Sequence, residues 1–132
     1  MWRPFSSLFV HPGGVAHLGI NSGLLLLVGP IAEPMLGRRR FIGTYLLGGT
    51  ATNALRYLMG GREGGGASAA ICAVAGAAVA RRARHPGDDN GTAVRTAAAI
   101  VTVAGLGVAR RTGDNHILAL GIGALAPVSD VH

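Results

Sequence analysis

Five apolar runs, separated by arginine clusters or Gly/Pro-rich breaks, constrain this chain more than any other feature. They read as roughly Val15–Ile31, Phe41–Leu58, Ala67–Ala80, Thr96–Ala109 and Ile117–Val128. A helix crossing a bilayer needs about 20 mostly apolar residues. The last three runs are shorter, and reach across by snorkelling of their flanking arginines or by local thinning of the bilayer. No strand-type alternation is present, and lipid admits only helices or closed barrels. The expectation is an all-α fold, a polytopic transmembrane helix bundle of about five spans. A length of 132 residues suits a single domain over the whole chain.

Composition agrees. Hydrophobic residues make up 49% and charged residues only 14%, against about a quarter charged in ordinary soluble domains. The 22 glycines and many alanines give small side chains that let helix backbones approach closely in lipid. The net charge of +6 would invite a nucleic-acid reading. All 12 basic residues are arginines, however, and most sit in clusters between apolar runs, with two Tyr and one Trp available to stack on bases. That pattern serves membrane orientation, so no nucleic-acid partner is expected. Arg38–Arg40 and Arg81–Arg84 are placed in the cytoplasm, which puts the N terminus outside and the C terminus inside. Cys72 is the single cysteine, which excludes an internal disulfide and any CxxC site. Met1–Pro12 lacks the apolar run of a signal peptide.

With this topology the first, third and fifth spans begin at the same face. Those beginnings carry His17 and Asn21, Ser68, and His116. Polar groups in lipid are costly, so they should face the bundle interior or a water-filled cavity. Ser68 follows Gly64-Gly65-Gly66-Ala67 and opens a helix, whose free N–H groups suit a developing oxyanion. Ser68, Cys72 and Gly76 share one face of the third span; His116, Ala119 and Gly123 share one face of the fifth. Two such small-residue faces can pack closely and bring serine and histidine within hydrogen-bond reach. The plainer alternatives are an N-cap for Ser68 and a polar loop residue for His116. His17 and Asn21, one helical turn apart, could donate to an oxyanion or serve as interhelical hydrogen-bond glue.

Trp2-Arg3, His11, His17-Leu-Gly-Ile-Asn21, Gly29-Pro-Ile-Ala-Glu33 and Gly37-Arg-Arg-Arg-Phe41 resemble the loop and second helix of rhomboid proteases. Gly66-Ala67-Ser68-Ala69 resembles that family's Gly-x-Ser-Gly motif, and His116, Ala119 and Gly123 its His-x-x-Gly-x-x-x-Gly. The resemblance covers nearly the whole chain in order. It implies a rhomboid-like intramembrane serine endopeptidase with a Ser68–His116 dyad and no third acidic member. The Ser68 N–H, His17 and Asn21 would hold the oxyanion. It further implies transmembrane segments of other proteins as substrates, no metal or organic cofactor, and residence in a membrane, for a bacterium the plasma membrane. Trp2-Arg3 would lie in a loop partly sunk in the outer leaflet, and Glu33 would be structural.

The chain departs from the family pattern at four points. It starts at the loop after the first of six core helices, so a further apolar helix before Trp2 is expected. Ala69 replaces a glycine, Cys72 stands where a tyrosine stacks on the catalytic histidine, and His11 and His17 are one residue further apart. The alternative these departures favour is a catalytically inactive rhomboid-like protein that binds transmembrane clients. Gly60–Ser68 lacks the lysine of a phosphate loop, and His11, His17 and His116 lack the carboxylate or thiolate of a metal site. His85 is expected to be solvated. Asn53, Arg56 and Tyr57 are read as snorkelling residues at the outer end of the second span.

Overall fold

The structure is a computed structural model that describes residues 2–60, 66–85, 92, 95–97, 99–100 and 116–125. The described residues form helices and no strands. In chain order they are α1 (Arg3–Ser6), α2 (Gly14–Leu36), α3 (Arg38–Gly43), a π-helical turn (Thr44–Gly48), α4 (Gly49–Leu58), α5 (Ser68–Arg84) and α6 (His116–Ala124). The first expected span corresponds to α2, the third to α5 and the fifth, as far as it is described, to α6. Most of the expected fourth span, Thr96–Ala109, lies outside the described residues, as do Arg110 and Arg111; residues 95–97 and 99–100 are helical.

α2 is, among the described residues, the one continuous helix long and apolar enough by itself to cross a membrane. Its 23 residues include Pro30 and Pro34; each proline removes one backbone donor, which neighbouring groups can compensate in a helix packed among others. The helix ends at Gly37, whose φ of 76° is a conformation that glycine takes without cost. The second expected span, Phe41–Leu58, is a run of α3, π-turn and α4 in direct succession. The π-turn inserts a wider ring of hydrogen bonds, and nothing in the composition of Thr44–Gly48 announces it.

α5 is the centre of the bundle. Ten consecutive residues, Ala69 to Ala78, are buried, so this helix is covered on every side. Alanine is the best helix former, and Arg81, Arg82 and Arg84 fall in its last turn, where cations complement the helix dipole. α2, the π-turn with α4, and α6 all pack against it. Gly48 and Gly49 lie against α5: a Cβ on Gly48 would come 2.8 Å from the Ala73 Cβ, and one on Gly49 2.8 Å from the Ala70 Cβ. On another side, a Cβ on Gly76 would strike the Leu120 backbone, and one on Gly123 the Ala73 backbone. The α5–α6 contact is therefore backbone to backbone, at the two small-residue faces that carry Ser68, Cys72 and Gly76 on one helix and His116, Ala119 and Gly123 on the other. Val28, Ala32, Met35 and Leu36 of α2 complete the core with α5.

Candidate functional site

The site gathers where α2 and α5 begin. Gly66 precedes α5 with φ of 118°, a conformation strained for any residue with a Cβ. Its backbone is pressed against two side chains of α2. The point a Gly66 Cβ would occupy lies 2.9 Å from His17 Nε2, 2.8 Å from His17 Cε1 and 3.1 Å from Asn21 Nδ2. Two nitrogens, four residues apart on one helix face, thus converge on one point two residues ahead of Ser68. An oxygen near that point could accept from both.

Asn21 is only 3% exposed, and its Nδ2 has no hydrogen-bond partner. A buried donor without an acceptor costs on the order of 1–3 kcal/mol, and such an exception calls for an explanation. Interhelical glue would show the amide bonded to another helix; Asn21 Nδ2 is not. His17 is half-buried. Its ring stands edge to face with that of His11, the centroids 5.3 Å apart and the planes at 75°. The extra residue between the two histidines still leaves the rings in contact.

Ser68 is the first residue of α5, and the capping position belongs to Ala67, which has no side chain to cap with. The N-cap alternative is therefore not what the helix uses. Ser68 is half-buried, while Gly66, Ala67 and Ala69 around it are buried. As a first-turn residue it has a backbone N–H outside the helical hydrogen-bond pattern. His116 opens α6 and is 7% exposed, so it is an interior histidine rather than a loop residue in water. The structure brings His17, Asn21 and the Gly66 backbone together directly. It relates Ser68 and His116 through their two helices, packed at Gly76 and Gly123. Cys72, one turn beyond Ser68, is free and buried. Among the described residues no group of three or more His, Cys, Asp or Glu side chains could hold a metal ion.

One residue read as a snorkelling side chain does something else. Asn53 Nδ2 donates to the Pro4 carbonyl at 3.2 Å and to Ser7 Oγ at 2.9 Å, tying α4 to α1. Ser7 Oγ itself donates to the Pro4 carbonyl at 2.9 Å. The Ser7 carbonyl accepts from the Gly66 N–H at 2.8 Å. The partners of Asn53 are 49 and 46 residues away in the chain, beyond the reach of any local pattern. Tyr57 is exposed.

Helices throughout the described residues, and a 23-residue α2 with Val15, Leu18, Ile20 and Leu26 exposed, fit an α-helical membrane protein. The family model described as Rhomboid domain matches residues 1–129, and the chain belongs to the rhomboid family. Members of that family are integral membrane proteins and generally serine proteases that act on transmembrane substrates. No curated protein and no solved structure matches the chain.

Proposed function

We propose that this protein is an intramembrane serine endopeptidase, one rhomboid-like domain of about five spans over residues 1–132, lodged in a bacterial plasma membrane and cleaving transmembrane segments of other proteins. The observation that carries this reading is the buried, unpartnered Asn21 amide converging with His17 on the backbone just ahead of Ser68. Two side-chain nitrogens drawn to one point beside a helix-opening serine are what an oxyanion would need.

In the proposed chemistry the Ser68 hydroxyl adds to the scissile carbonyl carbon while His116 takes its proton. The carbonyl oxygen becomes an anion, held by the Ser68 N–H, His17 and Asn21. Collapse expels the amine, which receives the proton from His116 and leaves an ester on Ser68. Water, deprotonated by His116, attacks the ester; the second carboxyl product leaves and Ser68 regains its proton. The glycine contacts support the pairing. Gly76 meets the Leu120 backbone and Gly123 the Ala73 backbone, so the two helices that Ser68 and His116 open are packed in close contact. The dyad needs no metal or organic cofactor, since base, nucleophile and oxyanion donors are all protein groups.

A fluorophosphonate probe on detergent-solubilised protein tests the reading. Adduct on Ser68, absent from the His116→Ala variant, is expected. Failure of the wild-type protein to label would favour the client-binding alternative, which the small Cys72 side chain beside the site supports, since it offers His116 no aromatic ring to rest on. For the enzyme, Asn21→Ala is expected to reduce kcat by roughly a hundredfold with KM little changed, the usual cost of one oxyanion donor being about 3 kcal/mol. An Asn21→Ala variant at wild-type rate would remove Asn21 from the oxyanion site.

A further inference from the structure

The backbone that faces His17 and Asn21 is not held by its own helix. Gly66 lies outside α5, and its N–H donates to the carbonyl of Ser7, the residue that follows α1. α1 in turn is a four-residue helix, too short to persist unaided. Two contacts from the second span fix it. Leu8, fully buried, fits against Gly49 at the head of α4: its Cδ2 lies 2.8 Å from where a Gly49 Cβ would be. Asn53, one turn further along α4, spends its amide on Pro4 and Ser7. Trp2, Phe5 and Phe9 of the same region are exposed.

We infer that Asn53 is a positioning residue for the oxyanion site, acting through Ser7 on Gly66; the inference rests on the protease reading above. The chemistry of the residue fits the task. One NH₂ carries two protons, so a single side chain can serve a carbonyl and a hydroxyl at once. The Ser7 hydroxyl is then free to donate its own proton to Pro4. The result is a closed triangle of Asn53, Ser7 and Pro4, linked to the site by the hydrogen bond that the Gly66 N–H donates to the Ser7 carbonyl. Without Asn53, Ser7 keeps its local bond and its neighbour Leu8 keeps its contact with Gly49, but Ser7 loses its own hydrogen-bonded tie to α4. Gly66 then moves with α1, and with it the point on which His17 and Asn21 converge. A catalytic group misplaced by about an ångström can lose a large part of its effect.

The test compares wild type, Asn53→Ala, Asn53→Asp, Ser7→Ala and Thr52→Val by the rate of fluorophosphonate labelling at Ser68 and by hydrogen exchange of the peptide containing Gly66. Asn53→Asp keeps the shape and loses both donated protons. Thr52 is the buried neighbour on the same helix, and its hydroxyl bonds only locally, to the Gly48 carbonyl at 2.8 Å. Thr52→Val therefore reports the effect of weakening α4 without touching α1. Both Asn53 variants are expected to label about tenfold more slowly and to exchange faster at Gly66, the consequence of losing a part-buried hydrogen-bond anchor. Ser7→Ala, which retains the carbonyl, should fall between them and wild type, and carries the test if the Asn53 variants do not fold. Thr52→Val should label as wild type does. Labelling of Asn53→Asp at the wild-type rate, or equal slowing in Thr52→Val, overturns the inference while leaving the protease reading intact. A wild-type protein that never labels brings down the protease reading itself.

Discussion

Ser68→Ala and His116→Ala are each expected to abolish cleavage of a transmembrane substrate, and the double variant is expected to be no worse than either. A nucleophile and its base act as one unit, so their losses do not add. The residual rate in all three should be the same small background, set by substrate binding and the oxyanion donors alone. The measurement is single-turnover cleavage in proteoliposomes, where substrate encounter does not limit the rate. Additive losses would mean that the two residues act independently, and the dyad would have to be abandoned. Residual cleavage in Ser68→Ala at more than a small fraction of the wild-type rate would point to another nucleophile. Cys72 is a poor candidate for that part, being buried inside α5 one turn below the helix start.

The second large effect concerns the α5–α6 contact. Gly123→Ala is expected to destabilise the bundle by about 3 kcal/mol, at the high end for overpacking, because its Cβ would meet main-chain atoms of Ala73 that cannot turn aside. Gly76→Ala should behave alike, meeting the Leu120 backbone from the other helix. Gly121 gives the contrast. It lies two residues away on α6 with nothing among the described residues within 4 Å of an added Cβ, so Gly121→Ala should be neutral or stabilising by up to about 1 kcal/mol through helix propensity. Thermal unfolding in detergent, followed by circular dichroism, separates the three. Equal behaviour of Gly121→Ala and Gly123→Ala would show that α6 does not pack on α5 through its glycines. The functional consequence follows from placement: His116 opens the same short helix, so a displaced α6 carries the base away from Ser68.

The distribution of apolar runs and arginines was enough to mark α2, the Phe41–Leu58 passage, α5 and α6, because a helix in lipid must be apolar over its length and that requirement is local. The register of Gly76 and Gly123 was legible for the same reason: helical periodicity fixes which residues share a face. His17 and Asn21 could be assigned to one face four residues apart, and Ser68 to a helix start. Sequence could not decide which backbone those two side chains meet. That depended on how α2 lies beside α5, and Gly66 emerged as their neighbour only in three dimensions, through its positive φ and its missing Cβ. Asn53 shows the limit most clearly. Read alone, it is a polar residue near the end of an apolar run, and snorkelling accounts for it. Its partners are Pro4 and Ser7, in a separate segment brought alongside by the packing of α1 on α4. The π-turn at Thr44–Gly48 belongs with it, since it accompanies the packing of Gly48 and Gly49 against α5 and has no local sequence signal. Patterns along one helix are set by the chain's own geometry. Bonds between helices are set by which neighbours the bundle supplies.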